Sequence, residues 1–86
     1  MKFRIIENQE RKEQGKVEVY EIFYFDEFDN RGPKWKKVIW DEESYLNFVD
    51  NNFVATIEAA KIKAETFMEE YIKENGKVVE EFELNG

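Results

Sequence analysis

Apolar side chains recur at steps of three and four residues between positions 56 and 75, a spacing typical of one helical face. Thr56 can cap the first turn with its hydroxyl, and Asn75-Gly76 offers a stop, because glycine adopts left-handed backbone angles without a Cβ clash. The pattern predicts a helix of about 18 residues, roughly 27 Å long. Its inner stripe consists of Ile57, Ala60, Ala64, Phe67, Met68, Tyr71 and Ile72.

Alternation of apolar and polar residues predicts four strands, at residues 2–7, 17–26, 34–41 and 78–84. A polar stretch (8–16) and a turn rich in Asp, Asn, Gly and Pro (26–33) join the first three strands into an antiparallel meander. The last strand follows the helix and adds to an edge of the sheet, where its glutamates would protect that edge from pairing with another chain.

Residues 42–54 allow two interpretations. Tyr45, Phe48 and Val49 are spaced for one helical face, with Ser44 as the cap and residues 50–52 as the end of a short helix. The competing interpretation is an extended segment that returns to the sheet through Phe53. With the short helix preferred, the order β-β-β-(short α)-α-β predicts one α+β domain over residues 1–86. It is a two-layer fold in which one long helix covers one face of an antiparallel sheet of about four strands.

The second strand is apolar on both faces, although only one long helix is available to cover it. We expect the helix to cover the face of Val19, Phe23 and Phe25. The opposite face then presents an aromatic and aliphatic set suited to a protein interface: Tyr20, Ile22, Tyr24, Val38 and Trp40. The alternative is that residues 42–54 fold across this set and bury it with the side chains of Tyr45, Leu46, Phe48 and Phe53.

The chain carries 13 basic and 20 acidic residues, a net charge of −7, and the acidity lies in its second half. Residues 1–40 hold nine basic and eight acidic side chains, whereas residues 41–86 hold four basic and twelve acidic ones. This distribution favours a basic protein partner over nucleic acid. Cysteine is absent and no apolar run approaches the ~18 residues of a membrane span, so we expect a cytoplasmic protein without membrane contact.

The residue types argue against catalysis, because histidine and cysteine are absent and Ser44 is the only serine. A serine or cysteine nucleophile therefore has no histidine to activate it. One turn carries four oxygen-bearing side chains, but their spacing does not fit the calcium-binding loop: Asp26, Glu27, Asp29 and Asn30. We expect a non-catalytic protein with no cofactor and no metal ion.

A basic and aromatic cluster supports a second hypothesis, nucleic-acid binding, because cations beside an indole can hold a phosphate backbone and stack a base. Its members are Arg31, Lys34, Trp35, Lys36 and Lys37. In element order alone, residues 17–74 resemble the arm-type DNA-binding domains at the front of some phage integrases, a resemblance that implies DNA binding. The acidic second half and the neighbouring acids oppose this hypothesis.

The sequence therefore predicts a small acidic interaction protein that acts as a homodimer or binds a protein partner. Small acidic proteins of phages and mobile elements often inhibit basic partners by occupying a DNA-binding cleft, and the size and charge of this chain suit that class. The alternative function is a nucleic-acid-binding module built on residues 31–37.

Overall fold

The computed structural model of the chain describes residues 1–77, 79, 80, 82 and 84 and confirms the α+β class. Three strands form an antiparallel sheet in the order β1-β2-β3, which is the meander that the sequence predicts. The elements in chain order are β1 (Phe3–Glu7), α1 (Gln9–Glu13), β2 (Tyr20–Asp26), β3 (Lys34–Lys37), α2 (Glu42–Leu46) and α3 (Ile57–Asn75).

The long helix α3 begins and ends where the sequence predicts. The Thr56 side chain accepts a hydrogen bond from the Ala59 N–H at 3.1 Å. At the other end Gly76 has a φ of +80°, and its N–H donates to the Ile72 carbonyl at 2.8 Å. Since a backbone angle of this kind favours glycine, Gly76 fixes the end of the helix.

α3 contacts the sheet face opposite to the one predicted. Ala60 and Ala64 lie over Ile22 and Val38, which are 0% and 1% exposed, so the prediction that Val19, Phe23 and Phe25 lie beneath the helix is wrong. The half-buried residues around this core are Phe3, Ile5, Tyr24, Trp40, Val54 and Phe67. The helix thus packs against the face to which the predicted interface residues belong.

The connection into α3 provides the physical reason for this choice of face. Val54 and Tyr20 exchange backbone hydrogen bonds of 3.0 and 2.9 Å, and Val54 packs against the core cluster. α3 begins three residues later, so the chain enters it from the Tyr20 side of the sheet. The alanines then allow the helix to approach the aliphatic side chains closely.

β3 is shorter than predicted because other groups satisfy its backbone beyond Val38. The Val38 N–H still donates to the Ile22 carbonyl, at 2.8 Å. Next along the chain, the Trp40 and Asp41 N–H groups both donate to the Asn52 side-chain oxygen at 2.8 Å. Val54 occupies the position beside Tyr20 that a longer β3 would fill.

Two short helices lie in the connections, one between β1 and β2 and one after β3. The polar loop contains α1, which Asn8 caps by accepting from the Arg11 N–H at 2.9 Å. The predicted helix after β3 is present as α2, but it is capped by Asp41, which accepts from the Ser44 N–H at 3.2 Å. Ser44 therefore lies inside the helix that it was predicted to cap.

The predicted fourth strand, residues 78–84, is not confirmed. Residues 78, 81 and 83 lie outside the described residues. Val79, Phe82 and Leu84 are exposed and belong to no strand.

Candidate functional site

The predicted interface residues are arranged around the core. Ile22 and Val38 are fully buried beneath α3, so a partner has no access to them. Tyr24 packs on Phe67 with a ring separation of 4.7 Å, and burial raises the pKa of the Tyr24 hydroxyl. Tyr20, Tyr24 and Trp40 are half-buried on this same side.

The basic cluster is divided between the two sides of the sheet and is largely neutralised by acids. Lys36 Nζ lies 2.7 Å from an Asp26 oxygen and 2.8 Å from an Asp29 oxygen. Arg31 and Lys34 approach the Asp29 carboxylate at 3.7 Å. A phosphate group would therefore have to displace carboxylates that already bind these cations.

The pKa values in this cluster shift as its ion pairs require. The Lys36 ammonium, followed by the Arg31 N–H, holds the pKa of Asp29 far below its usual value. Lys36 and the Phe28 N–H also lower the pKa of Asp26. Bonds to Asp26 and then Asp29 raise the pKa of Lys36 in return. The turn is therefore an ion-pair network centred on Lys36.

The sheet face opposite α3 presents a second aromatic set, which we call the open sheet face: Arg4, Phe23, Phe25, Trp35 and Phe53. The register pairs Arg4 with Phe23, and Phe25 with Trp35, and directly paired residues share a face. In the described part of the chain, α3 is the only helix with extensive contacts to the strands, and it lies on the other face. The rings of this face are half-buried.

Cations are stacked on the rings of the open sheet face. The Arg4 guanidinium carbon lies 4.1 Å from the Trp35 ring centre, and Lys2 lies 5.7 Å from the Phe25 ring centre. Phe25 and Trp35 pack at 5.3 Å. Among the described residues, no carboxylate lies within 4.0 Å of the Arg4 guanidinium.

Phe53 lies between two cations at the Tyr20 end of this face. The Arg11 guanidinium is 4.0 Å from its ring centre, and Lys37 Nζ is 4.1 Å away. Lys37 also forms a short ion pair with Asp50. Burial raises the pKa of Asp50, but bonds from Lys37 and Asn52 outweigh that effect, and the net pKa is lowered.

The sequence pattern predicts part of this face. Trp35 and Lys37, from the proposed nucleic-acid cluster, lie on it, whereas Lys34 and Lys36 lie on the other side by strand alternation. The alternation of β2 predicts that Phe23 and Phe25 share a face, and they do, although the helix packs on the other face. The role of Arg4 was missed, although its position between Phe3 and Ile5 in an alternating strand places it opposite the side that packs on the core.

A second exposed apolar surface follows α2, and we call it the α2 knuckle: Tyr45, Leu46, Phe48 and Val49. The chain reverses there in a Schellman motif. The Phe48 N–H donates to the Tyr45 carbonyl at 3.2 Å, and the Val49 N–H donates to the Ser44 carbonyl at 2.9 Å. Residues 42–54 therefore do not bury an aromatic sheet face with Tyr45, Leu46 and Phe48, which was the alternative that the sequence left open.

Phe48 occupies the position of the Schellman motif that glycine usually holds. Its φ is +63°, a left-handed angle that costs a non-glycine residue roughly 1–2 kcal/mol. Its side chain is 98% exposed. Since an exposed ring gains no packing energy to offset this cost, the residue is a candidate for contact with another molecule.

An apolar groove lies at the opposite end of the sheet, and we call it the end groove: Met1, Tyr24, Phe28, Met68, Tyr71 and Ile72. Its volume is about 600 Å³. Lys2, Phe25, Asp26, Glu27, Gly76 and Lys77 complete its walls. Phe28 and Ile72 are exposed, so the groove offers apolar contact area.

Two findings concern other kinds of site. In residues 1–77 and the described positions beyond them, no group of three or more acidic side chains is placed to hold a metal ion. None of the described helices has the length and apolar character needed to cross a membrane.

Comparisons with known protein families, curated proteins and solved structures found no match to this chain.

Proposed function

We propose that the protein is a non-catalytic interaction protein that binds a protein partner through the open sheet face. The observation that carries this proposal is the stacking of Arg4 on Trp35 beside Phe23 and Phe25, on a face that α3 leaves uncovered. Arginine and aromatic residues dominate the energetically important positions of protein interfaces. We also propose that the chain forms a single two-layer domain in which α3 is the second layer. A chain without cysteine is suited to the reducing cytoplasm, which we propose as its compartment.

The charge of this face changes the expected partner. The acidic second half of the sequence predicts a basic partner, but the open sheet face and its border carry four cations, Lys2, Arg4, Arg11 and Lys37. Within the described part of the chain, the acids that lie within 4.0 Å of these cations are Glu21 and Asp50, both near Lys37. An extended segment rich in acidic and aromatic residues therefore complements the face best.

A peptide library displayed on phage, with the immobilised protein as bait, tests this proposal. The selected peptides should be rich in acidic and aromatic residues. Arg4→Glu should weaken their binding by roughly tenfold or more, about 1.4 kcal/mol, because the charge at the centre of the face is reversed. Arg4 is exposed, so this change should leave the fold intact.

Arg31→Glu is the matched control, since Arg31 is an exposed arginine outside the open sheet face. It should change peptide affinity less than twofold, roughly 0.4 kcal/mol. A library without binders, or equal losses for Arg4→Glu and Arg31→Glu, would overturn the proposal.

Nucleic-acid binding is a second candidate for the same face, because stacked aromatic rings beside arginine can also hold unpaired bases. It is the weaker candidate, since the acids of the turn already neutralise Arg31, Lys34 and Lys36. The steepness of the salt dependence distinguishes the two candidates: binding of an oligonucleotide falls steeply with added salt because many phosphates are contacted, whereas the aromatic part of peptide binding persists.

A further inference from the structure

The α2 knuckle and the end groove are both apolar, and they lie at opposite ends of the sheet. The knuckle belongs to the segment that Asn52 and Val54 attach near Tyr20. The groove lies beyond Tyr24, at the C-terminal end of α3. β2 separates the two ends by roughly 20 Å. The knuckle therefore does not reach the groove of its own chain.

We propose that Phe48 of one copy inserts into the end groove of a second copy, so that the chains associate head to tail. The exposed ring meets a groove lined by Phe28, Met68 and Ile72, and methionine adapts readily to aromatic rings. This contact uses neither Arg4 nor Trp35, although Lys2 and Phe25 lie at the border between the groove and the open sheet face.

The charges around the two surfaces support the second copy as the occupant. Glu42 and Glu43 accompany the knuckle on α2, whereas Lys2 and Lys77 border the groove. Of the two acids at the groove, Asp26 is neutralised by Lys36, and Glu27 remains. The acidic knuckle thus faces a groove border of slight positive charge.

The geometry also explains why a strained residue is kept at this turn. Glycine would satisfy the Schellman motif without strain but would leave no side chain at its tip. Phe48 places a ring there at a cost in backbone strain, and insertion into a groove is the gain that compensates for it.

An open head-to-tail assembly has a free knuckle at one end and a free groove at the other. Analytical ultracentrifugation of the full chain, up to about 1 mM, should therefore show an average mass that rises with concentration and does not level off at a dimer. Phe48→Gly removes the ring, and Ile72→Lys places a charge in the groove. Each variant alone should be a monomer.

An equimolar mixture of Phe48→Gly and Ile72→Lys gives the sharpest result. The first variant retains an intact groove and the second an intact knuckle, so the mixture should form one-to-one dimers and nothing larger. Val17→Gly and Ile62→Lys are matched controls, because both residues are exposed and lie outside the two surfaces. These controls should assemble as the unchanged protein does.

A monomer at about 1 mM would overturn the proposal and leave the groove to another occupant, such as the C-terminal residues of the same chain. A dimer whose two variants do not complement each other would also overturn it, since this result indicates a symmetric contact. Assembly that persists in Ile72→Lys would exclude the groove.

Discussion

At the scale of single residues, the Asn52 side chain supplies hydrogen-bond partners for the backbone where β3 ends. Asn52 is wholly buried, and both polar atoms of its side chain have hydrogen-bond partners. Its oxygen accepts from the Trp40 and Asp41 N–H groups, while its amide donates to the Asp41 carbonyl and the Asp50 carboxylate. One side chain thus replaces the strand partner that the backbone has lost.

Asn52→Ala should destabilise the protein by about 2–3 kcal/mol, because it leaves two backbone N–H groups without an acceptor near the core. The free energy of unfolding in urea measures this loss. Asn51→Ala is the control: its side chain is exposed, so the change should stay within about 0.5 kcal/mol. Equal effects at both positions would contradict the role assigned to Asn52.

Phe48→Gly should stabilise the isolated chain by about 0.5–1 kcal/mol. Relief of the left-handed strain contributes about 1–2 kcal/mol, and the greater freedom of glycine in the unfolded chain offsets part of it. Phe48→Ala keeps the strain and should change the unfolding free energy little. If glycine destabilised the chain, the ring would be making contacts in the folded monomer.

At the scale of elements, the contact of α3 with the sheet depends on its two small residues. Ala60 and Ala64 are its buried positions, and the larger apolar residues Phe67 and Tyr71 pack beside them on Tyr24. The alanines set how closely the helix approaches Ile22 and Val38.

Ala64→Leu should destabilise the protein by about 1–3 kcal/mol, because the larger side chain forces the helix away from the core. Thr66→Leu is a matched change on the exposed side of the same helix and should be neutral or slightly stabilising. Thermal unfolding of both variants measures the difference. A neutral Ala64→Leu would mean that the core has room beneath the helix.

We expect the protein to lose stability in acid, because the turn between β2 and β3 contains ion pairs that depend on ionised carboxylates. The pKa of Asp29 is lower in the folded chain than its unfolded value of about 3.9, so its ion pairs stabilise fully above about pH 4. As the pH falls below that value, the unfolded state takes up protons first and stability declines. Asp29→Asn removes this contribution and should make the decline between about pH 5 and pH 2 shallower.

Urea unfolding across this pH range measures that slope. Glu27→Gln is the control, because Glu27 is an exposed neighbouring carboxylate with no ion pair among the described residues. The unfolding free energy of this variant should change with pH as steeply as that of the unchanged protein. An unaltered slope in Asp29→Asn would show that the network adds nothing to stability.

At the scale of the whole molecule, the charge is unevenly distributed. The net charge is −7, yet cations surround the rings of the open sheet face. The remaining basic cluster is bound to the acids of its own turn. We therefore expect no binding of a fluorescent single-stranded oligonucleotide at an ionic strength of about 0.15 M.

The Asp29→Asn variant provides a second test, because it releases Arg31 and Lys34 from their shared acid and leaves Lys36 paired with Asp26 alone. Fluorescence anisotropy at low salt should then show tighter oligonucleotide binding by this variant than by the unchanged chain. Strong, salt-dependent binding by the unchanged chain would favour the nucleic-acid candidate over the protein partner.

The sequence predicted the elements better than their packing. The caps of α3 and the alternation of β2 depend on residues close in the chain, so they could be recognised directly. The length of β3 could not, because its end depends on Asn52 and Val54, which lie more than ten residues further along. The face that the helix contacts could not be predicted either, because it depends on the pairing of Val54 with the distant Tyr20.

The sequence by itself determined the α+β class, the antiparallel meander, the bounds of α3 and the charge of the chain, since periodicity, capping and composition are local properties. Only the tertiary structure decided which face of β2 the helix covers, because both faces are apolar and the choice depends on how Val54 pairs with Tyr20. That pairing buries Ile22 and Val38 and leaves Phe23, Phe25 and Trp35 on the open sheet face. A contact between distant residues thus determined which side chains are available to a partner.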